Sequence, residues 1–213
     1  MELYNYFRSS ASWRVRIALA LKGLDYAYLP VHLVKKEQLA PDYLAASGTG
    51  LVPLLVTDDG ERLHQSLAII EYLDETVPEP PLLPRDALGR ARARALAQDI
   101  ACEIHPINNL RVLQYLTGPL GAGEDAKAAW IRHWVEGGLA VVERQLAARP
   151  DPYCHGETPG LADCALVPQV FNAQRFKCRL DHVPNVMRVH AACMAHPAFS
   201  GTQPSACPDA EQP

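Results

Sequence analysis

Pro78, Pro80, Pro81 and Pro84 crowd one short segment of this chain, and the sequence pattern changes across it. Proline lacks the backbone N–H and fixes φ, so prolines this dense exclude a helix interior and mark a linker. Before the linker, strand and helix signals alternate. Leu3–Phe7 alternates like a strand, and a helix follows near Ser12–Lys22, with Gly23 placed to end it. Tyr26–Leu33 reads as a second strand, Glu37–Ala46 as a short helix and Val52–Val56 as a third strand. Asp58-Asp59-Gly60 turns the chain into a fourth strand, Glu61–His64, and Ser66 is a candidate N-cap for the helical run Leu67–Leu73. The order βαβαββα calls for a mixed sheet with helices on both faces.

After the linker, strand signals stop. Ala87–Thr117 reads as one long helix kinked at Pro106, and Lys127–Arg149 as a second with an apolar stripe at Trp130, Trp134, Leu139 and Val142. Leu161–Phe176, with Pro168 inside it, and Asn185–Met194 read as two more, and the tail from Gly201 as irregular. The predicted fold class is therefore α/β plus all-α, with an α/β domain over 1–80 and an all-helical domain over 85–213.

Composition narrows the function classes. The 213 residues are 48% hydrophobic and 21% charged, which makes a globular chain with ample core. A net charge of −4 and no basic run argue against a nucleic-acid partner. Apolar runs such as Ile17–Leu21 are too short to span a bilayer, and Met1-Glu2-Leu3-Tyr4 does not open a signal peptide, so no membrane association and a cytoplasmic location are expected. The six cysteines form no CxxC and the eight histidines no HExxH, which predicts reduced thiols and no metal.

The densest chemistry is Arg8-Ser9-Ser10-Ala11-Ser12-Trp13-Arg14-Val15-Arg16-Ile17-Ala18-Leu19. It puts three hydroxyls at a strand-to-helix turn, where free N–H groups and the helix dipole favour an anion, with an arginine just before them. A hydroxyl there can hold a thiolate, and an arginine can hold a carboxylate. Helix capping by the serines is the plainer alternative. On the predicted long helix, His105 and Asn109 stand at i, i+4, and Asn108 and Arg111 at i, i+3. Adjacent asparagines do not favour a helix interior, so a specific role is expected for this cluster. Arg175 stands three residues after Asn172 on a later helix, and with Arg8 and Arg111 it makes three candidate carboxylate clamps. Arg14 and Arg16, further into the first helix, read as structural or dimer-facing.

The RSSASWRVRIAL stretch, Val52-Pro53, Gln65-Ser66 and Leu161-Ala162-Asp163, in that order and spacing, resemble the zeta class of glutathione transferases. His105-Pro106-Ile107-Asn108-Asn109-Leu110-Arg111-Val112-Leu113 points more narrowly to the maleylacetoacetate isomerase branch. The resemblance covers nearly the whole chain. It implies a thioredoxin-like N-terminal domain, an all-helical C-terminal domain, a homodimer, and glutathione as cofactor. By resemblance Ser9 holds the glutathione thiolate, with Ser10 beside it. The Val52-Pro53 bond is cis and offers the Val52 backbone to glutathione. Gln65 and Ser66 receive the γ-glutamyl carboxylate, and Gln38, His105, Asn109 and Arg111 also reach glutathione. Arg8, Arg111 and Arg175 bind a short dicarboxylate substrate, and Asp163 caps a buried helix. The class commonly carries cysteine where this chain has Ala11, a departure that leaves serine-assisted addition intact and removes support for cysteine-based thiol exchange.

The implied reaction is cis–trans isomerisation of a maleyl keto-dicarboxylate, maleylacetoacetate or the analogue maleylpyruvate. A conjugating or dehalogenating transferase and a non-catalytic binding protein are the alternatives. Three arginines argue against the first, since such a pocket should be more apolar, and the intact serine turn argues against the second.

Overall fold

The computed structural model describes residues 1–211, and their contacts fall into two compact units, 1–82 with the segment from Ala195 onward, and 83–194. The first unit is built on four strands, β1 (Glu2–Asn5), β2 (Ala27–Pro30), β3 (Leu54–Val56) and β4 (Arg62–His64), in the order β2-β1-β3-β4. β1 runs parallel to β2 and antiparallel to β3, and β3 and β4 form the predicted hairpin. Three helices complete the sheet: α1 (Ser10–Lys22), α2 (Pro41–Ser47) and α3 (Ser66–Thr76). Side chains alternate across the sheet. Tyr4 and Leu54, opposite each other, meet Tyr43 of α2, whereas the opposite face buries the paired Leu3 and Leu55 beneath α1 and α3, which pack on one another. Both faces are covered, as the strand order requires.

α1 ends where Gly23 takes φ +64 and its N–H bonds back to the helix. The last residue of the helix, Lys22, is buried. Its ammonium reaches the Asp74 carboxylate and the carbonyls of Val77 (2.7 Å) and Pro80 (2.6 Å), so it ties the ends of α1 and α3 to the proline segment. The second helix begins later than its sequence signal. Glu37–Leu39 is a 3₁₀ turn and Pro41 opens α2, as suits a first-turn proline.

The second unit holds α4 (Ala87–Gln98), α5 (Leu110–Thr117), α6 (Glu124–Ala147), α7 (Leu161–Arg175) and all but the last residue of α8 (Pro184–Ala195). The predicted helix Ala87–Thr117 is not continuous. Pro106 cannot donate to the carbonyl ladder, and the chain adapts around it. Asp99–Ile104 widens to a π-type stretch, with the His105 N–H bonded to Ile100, and Pro106–Asn108 tightens to a 3₁₀ turn. Asn109 is extended (φ −68, ψ 151) and caps α5. The stripe of α6 also differs from its sequence reading. Ile131, Val135, Leu139, Val142 and Leu146 are buried, while Trp134 is 41% exposed and stacks edge-on against Trp130. Two indoles looked like core, but the aliphatic positions at helical spacing form it. Asp163, fully buried, accepts the N–H groups of Cys154 and Gly160 (both 2.9 Å), and burial raises its carboxyl above the usual range. It caps α7 as the resemblance implied.

The tail corrects the sequence reading. After α8, α9 (Pro197–Ser200) and a 3₁₀ turn at Pro204–Ala206 pack with the first unit, so the helical assignment of 85–213 does not describe where this segment folds. Phe199 is fully buried, Thr202 accepts from the indole N–H of Trp13 (3.1 Å), and Cys207 joins Tyr6 and Phe7 in a small core cluster. All six cysteines are free thiols. Among the described residues no helix is long and apolar enough to cross a membrane.

Candidate functional site

Strand register brings three predicted site segments to one end of the sheet. β1 leaves the sheet into Ser9, β4 leaves it beside β3 into Gln65, and the antiparallel β3 enters from that same end through Val52-Pro53. The Val52-Pro53 bond is cis, as the resemblance implied. Val52 packs against the Tyr6–Phe7–Cys207 cluster, and its N–H and C=O have no backbone partner among the described residues.

Ser9 is the N-cap of α1. Its Oγ accepts the Ser12 N–H (3.2 Å), and its own N–H is bonded to Tyr6 (3.0 Å). The capping alternative is thus true of this residue. It uses a lone pair of Oγ and leaves the O–H free to donate outward. Ser10 and Ala11 begin the helix, and their N–H groups have no backbone acceptor among the described residues. At α3 the cap is Gln65, not Ser66. Gln65 has φ +69 and ψ 110, makes no side-chain cap, and is followed by a first turn without an acidic residue. A non-glycine residue at positive φ costs about 1–3 kcal/mol and is typical of ligand clamps. Ser66 is instead the first helical residue, buried, with its Oγ accepting from the Arg14 guanidinium (3.2 Å). An uncapped helix start beside a buried cation is suited to a carboxylate. Gln38 lies in the 3₁₀ turn, and its buried side-chain oxygen has no hydrogen-bond partner among the described residues.

The arginines of the first unit divide by role. Arg16, 1% exposed, donates to the carbonyls of Tyr6, Phe7 and Thr202 and to the Asn5 side chain, which fixes the turn before Ser9. Arg14 holds Ser66, so both serve structure. Arg8 is half-exposed. Its Nη2 donates to Tyr6 Oη (2.9 Å) and Glu211 Oε2 (3.1 Å), and the guanidinium carbon lies 4.8 Å from the Phe7 ring centre. Neither acidic partner of this turn, Glu211 nor Asp209, stood out in the sequence. The available signal was that they are the only charged residues in a Pro/Ser/Ala-rich tail.

In the second unit, His105 is half-buried at the junction of the π-type stretch and the 3₁₀ turn. The break at Asn109 removes the i, i+4 and i, i+3 relations expected for this cluster. Asn109 accepts the Arg111 N–H as an N-cap, and Asn108 is buried and donates to the Ile104 carbonyl (2.9 Å). Arg111 is exposed in the first turn of α5, and Arg175 is exposed at the end of α7, over the Phe176 ring (5.1 Å).

Residues 3–81 match the family described as glutathione S-transferase, N-terminal domain. Maleylacetoacetate isomerase of Pseudomonas aeruginosa is 49% identical to this chain, over 98% of both. Among solved structures, holo maleylpyruvate isomerase, a bacterial zeta-class glutathione S-transferase, superposes with a TM-score of 0.96 at 48% identity, covering 99% of this chain and all of that one. Maleylacetoacetate isomerase from Anaeromyxobacter dehalogenans 2CP-1, with dicarboxyethyl glutathione and citrate bound in its active site, superposes at 0.89 with 40% identity, covering 100% and 94%.

Proposed function

The chain belongs to the zeta class of the glutathione transferase family, and from that premise we propose that it is a glutathione-dependent cis–trans isomerase converting maleylacetoacetate to its fumaryl isomer. The observation that carries the proposal is the meeting, at one end of the sheet, of the Ser9 turn, the unpaired Val52 backbone and the uncapped start of α3. Those groups fit glutathione part by part. The free N–H groups opening α3 suit its γ-glutamyl carboxylate, with Gln65 and Ser66 at the bend. The Val52 N–H and C=O suit its cysteinyl backbone, in the manner of an added strand. Gln38, whose buried oxygen lacks a donor, suits its peptide N–H groups.

When bound, glutathione supplies the thiolate whose reversible addition turns the cis double bond into a rotatable single bond. The protein supplies the rest. The Ser9 O–H and the first N–H groups of α1 hold negative charge on sulfur, which lowers the pKa of a thiol. Ser10 stands beside them. Arg8, Arg111 and Arg175 bind the substrate's carboxylates and stabilise charge that develops on its keto oxygen, a task that suits the planar guanidinium fork. Asn109 and Arg111 stand at the head of α5, and His105 stands one 3₁₀ turn before it. We place the protein in the cytoplasm as a homodimer. Maleylpyruvate is the second reading, because it presents the same alkene, ketone and acid groups and is the substrate named for one of the similar solved structures.

The test is stoichiometric. A trace of glutathione, far below substrate, should support many turnovers to the fumaryl product and be recovered unchanged. Full-rate conversion without glutathione, or a stable sulfur conjugate as product, would refute the isomerase assignment.

A further inference from the structure

The last charged residues of the chain reach back to the turn that carries Arg8 and Ser9. Cys207 and Ala210 anchor the tail on Tyr6, Phe7, Tyr28 and Val52. Asp209 then accepts the Phe7 N–H (3.2 Å) and the Tyr28 hydroxyl, pinning the backbone one residue before Arg8. Glu211 divides its two oxygens. Oε2 accepts from Arg8 Nη2 (3.1 Å), and Oε1 faces His32 Nε2 (2.9 Å). The Lys35 N–H donates to His32 Nδ1 (3.2 Å), so the ring proton sits on Nε2 and is donated to Glu211. His32 begins the loop that carries Gln38.

We propose that Glu211 and Asp209 are positioning residues that set the orientation of Arg8 for the substrate's carboxylate; this rests on Arg8 being a substrate-binding group. The geometry distinguishes a brace from a competitor. A carboxylate that merely occupied Arg8 would take the guanidinium fork through two parallel bonds. Glu211 instead touches only Nη2, the same nitrogen that Tyr6 Oη holds, while Phe7 supports the plane from below. Nη1 and Nε have no partner among the described residues, so the donors that a substrate carboxylate needs stay available on a plane whose direction is fixed. Through His32 the same carboxylate joins the Gln38 loop to the Arg8 turn. A tail more than two hundred residues away in sequence thereby closes the frame of the site.

The experiment is a mutant cycle on the full-length chain. In Glu211→Gln, KM for the maleyl substrate and the inhibition constant of succinate, both at saturating glutathione, should rise about tenfold, within the range seen for coupled neighbours. The glutathione Kd from calorimetry and the Tm should not change. Asp209→Asn should shift KM in the same direction. Arg8→Ala combined with Glu211→Gln should be no worse than Arg8→Ala alone, because Glu211 acts through Arg8. A fall in KM for Glu211→Gln would show the tail to be a competitor, and multiplying losses in the double variant would show that it acts elsewhere; either overturns the brace alone. An Arg8→Ala protein with unchanged KM and succinate inhibition would overturn the substrate role of Arg8 and the brace with it.

Discussion

Ser9 has an observed task and a proposed one, resting on different parts of one hydroxyl, and the two can be separated by substitution. Its oxygen caps α1, and the proposed isomerase uses its proton at the sulfur. Replacing an N-cap serine by alanine costs about 1 kcal/mol, whereas glycine at the cap costs only a few tenths. Losing a preorganised donor to developing charge typically costs about tenfold to a thousandfold in rate. Ser9→Ala should therefore lose both stability and turnover, while Ser9→Gly should lose turnover and keep a Tm close to the parent's. If Ser9→Gly retains full turnover, the thiolate is held by Ser10 or by backbone N–H groups alone. The cap was legible in the sequence, because a serine before an apolar helical run at the end of a strand is a favoured N-cap. The surroundings of Arg8 were not legible. Its partner Glu211 lies 203 positions away, and no local pattern encodes that pairing.

At the level of elements, periodicity predicted each strand and helix of residues 1–82 to within a few residues, and it failed where backbone chemistry interrupts a period. The run from Ala87 to Thr117 keeps a helical pattern through Pro106, yet the missing N–H there converts it into a π-type stretch, a 3₁₀ turn and a fresh helix. Asn109 could have signalled the restart, since asparagine is among the best N-caps. Lys22 shows a second kind of blind spot. In sequence it is the ordinary basic residue that ends a helix, but its ammonium is buried under the proline segment and closes three acceptors. Removing one partner of a buried ion pair costs about 3–5 kcal/mol, because the other charge is left uncompensated. Lys22→Met should lower the urea-unfolding free energy by about that amount, and Lys22→Met with Asp74→Leu should recover part of the loss. A Lys22→Met protein as stable as the parent would mean that water reaches Asp74 and that the latch contributes little.

The molecule as a whole divides by packing and not by order along the chain. The linker prolines lie at one crossing between units, near Leu82, but the chain crosses again near Ala195, where no proline cluster or change of period marks it. The reason is physical: the tail is recognised by single contacts, not by a repeating face. Thr202 serves Trp13 and Arg16, Phe199 fills a fully buried position against the α1 side of the first unit, and Cys207 completes the Tyr6–Phe7 cluster. A chain ending at Ala195 would expose the buried faces of Trp13 and Arg16. It would forfeit about 1.5–3 kcal/mol for the phenylalanine alone. Each lost hydrogen bond to a charged group adds about 1.5–3 kcal/mol. Against a typical domain stability of about 5–15 kcal/mol, that is enough to unfold the first unit at ambient temperature. The second unit is continuous from 83 to 194 and loses none of these contacts. The chain 1–195 should therefore bind no glutathione, retain helical circular dichroism, and melt in urea with only the helical unit's transition. The chain 1–207, which keeps Phe199, Thr202 and Cys207, should fold and bind glutathione. A 1–195 chain that binds glutathione and unfolds at the parent's midpoint would show that the tail lies on the first unit without stabilising it.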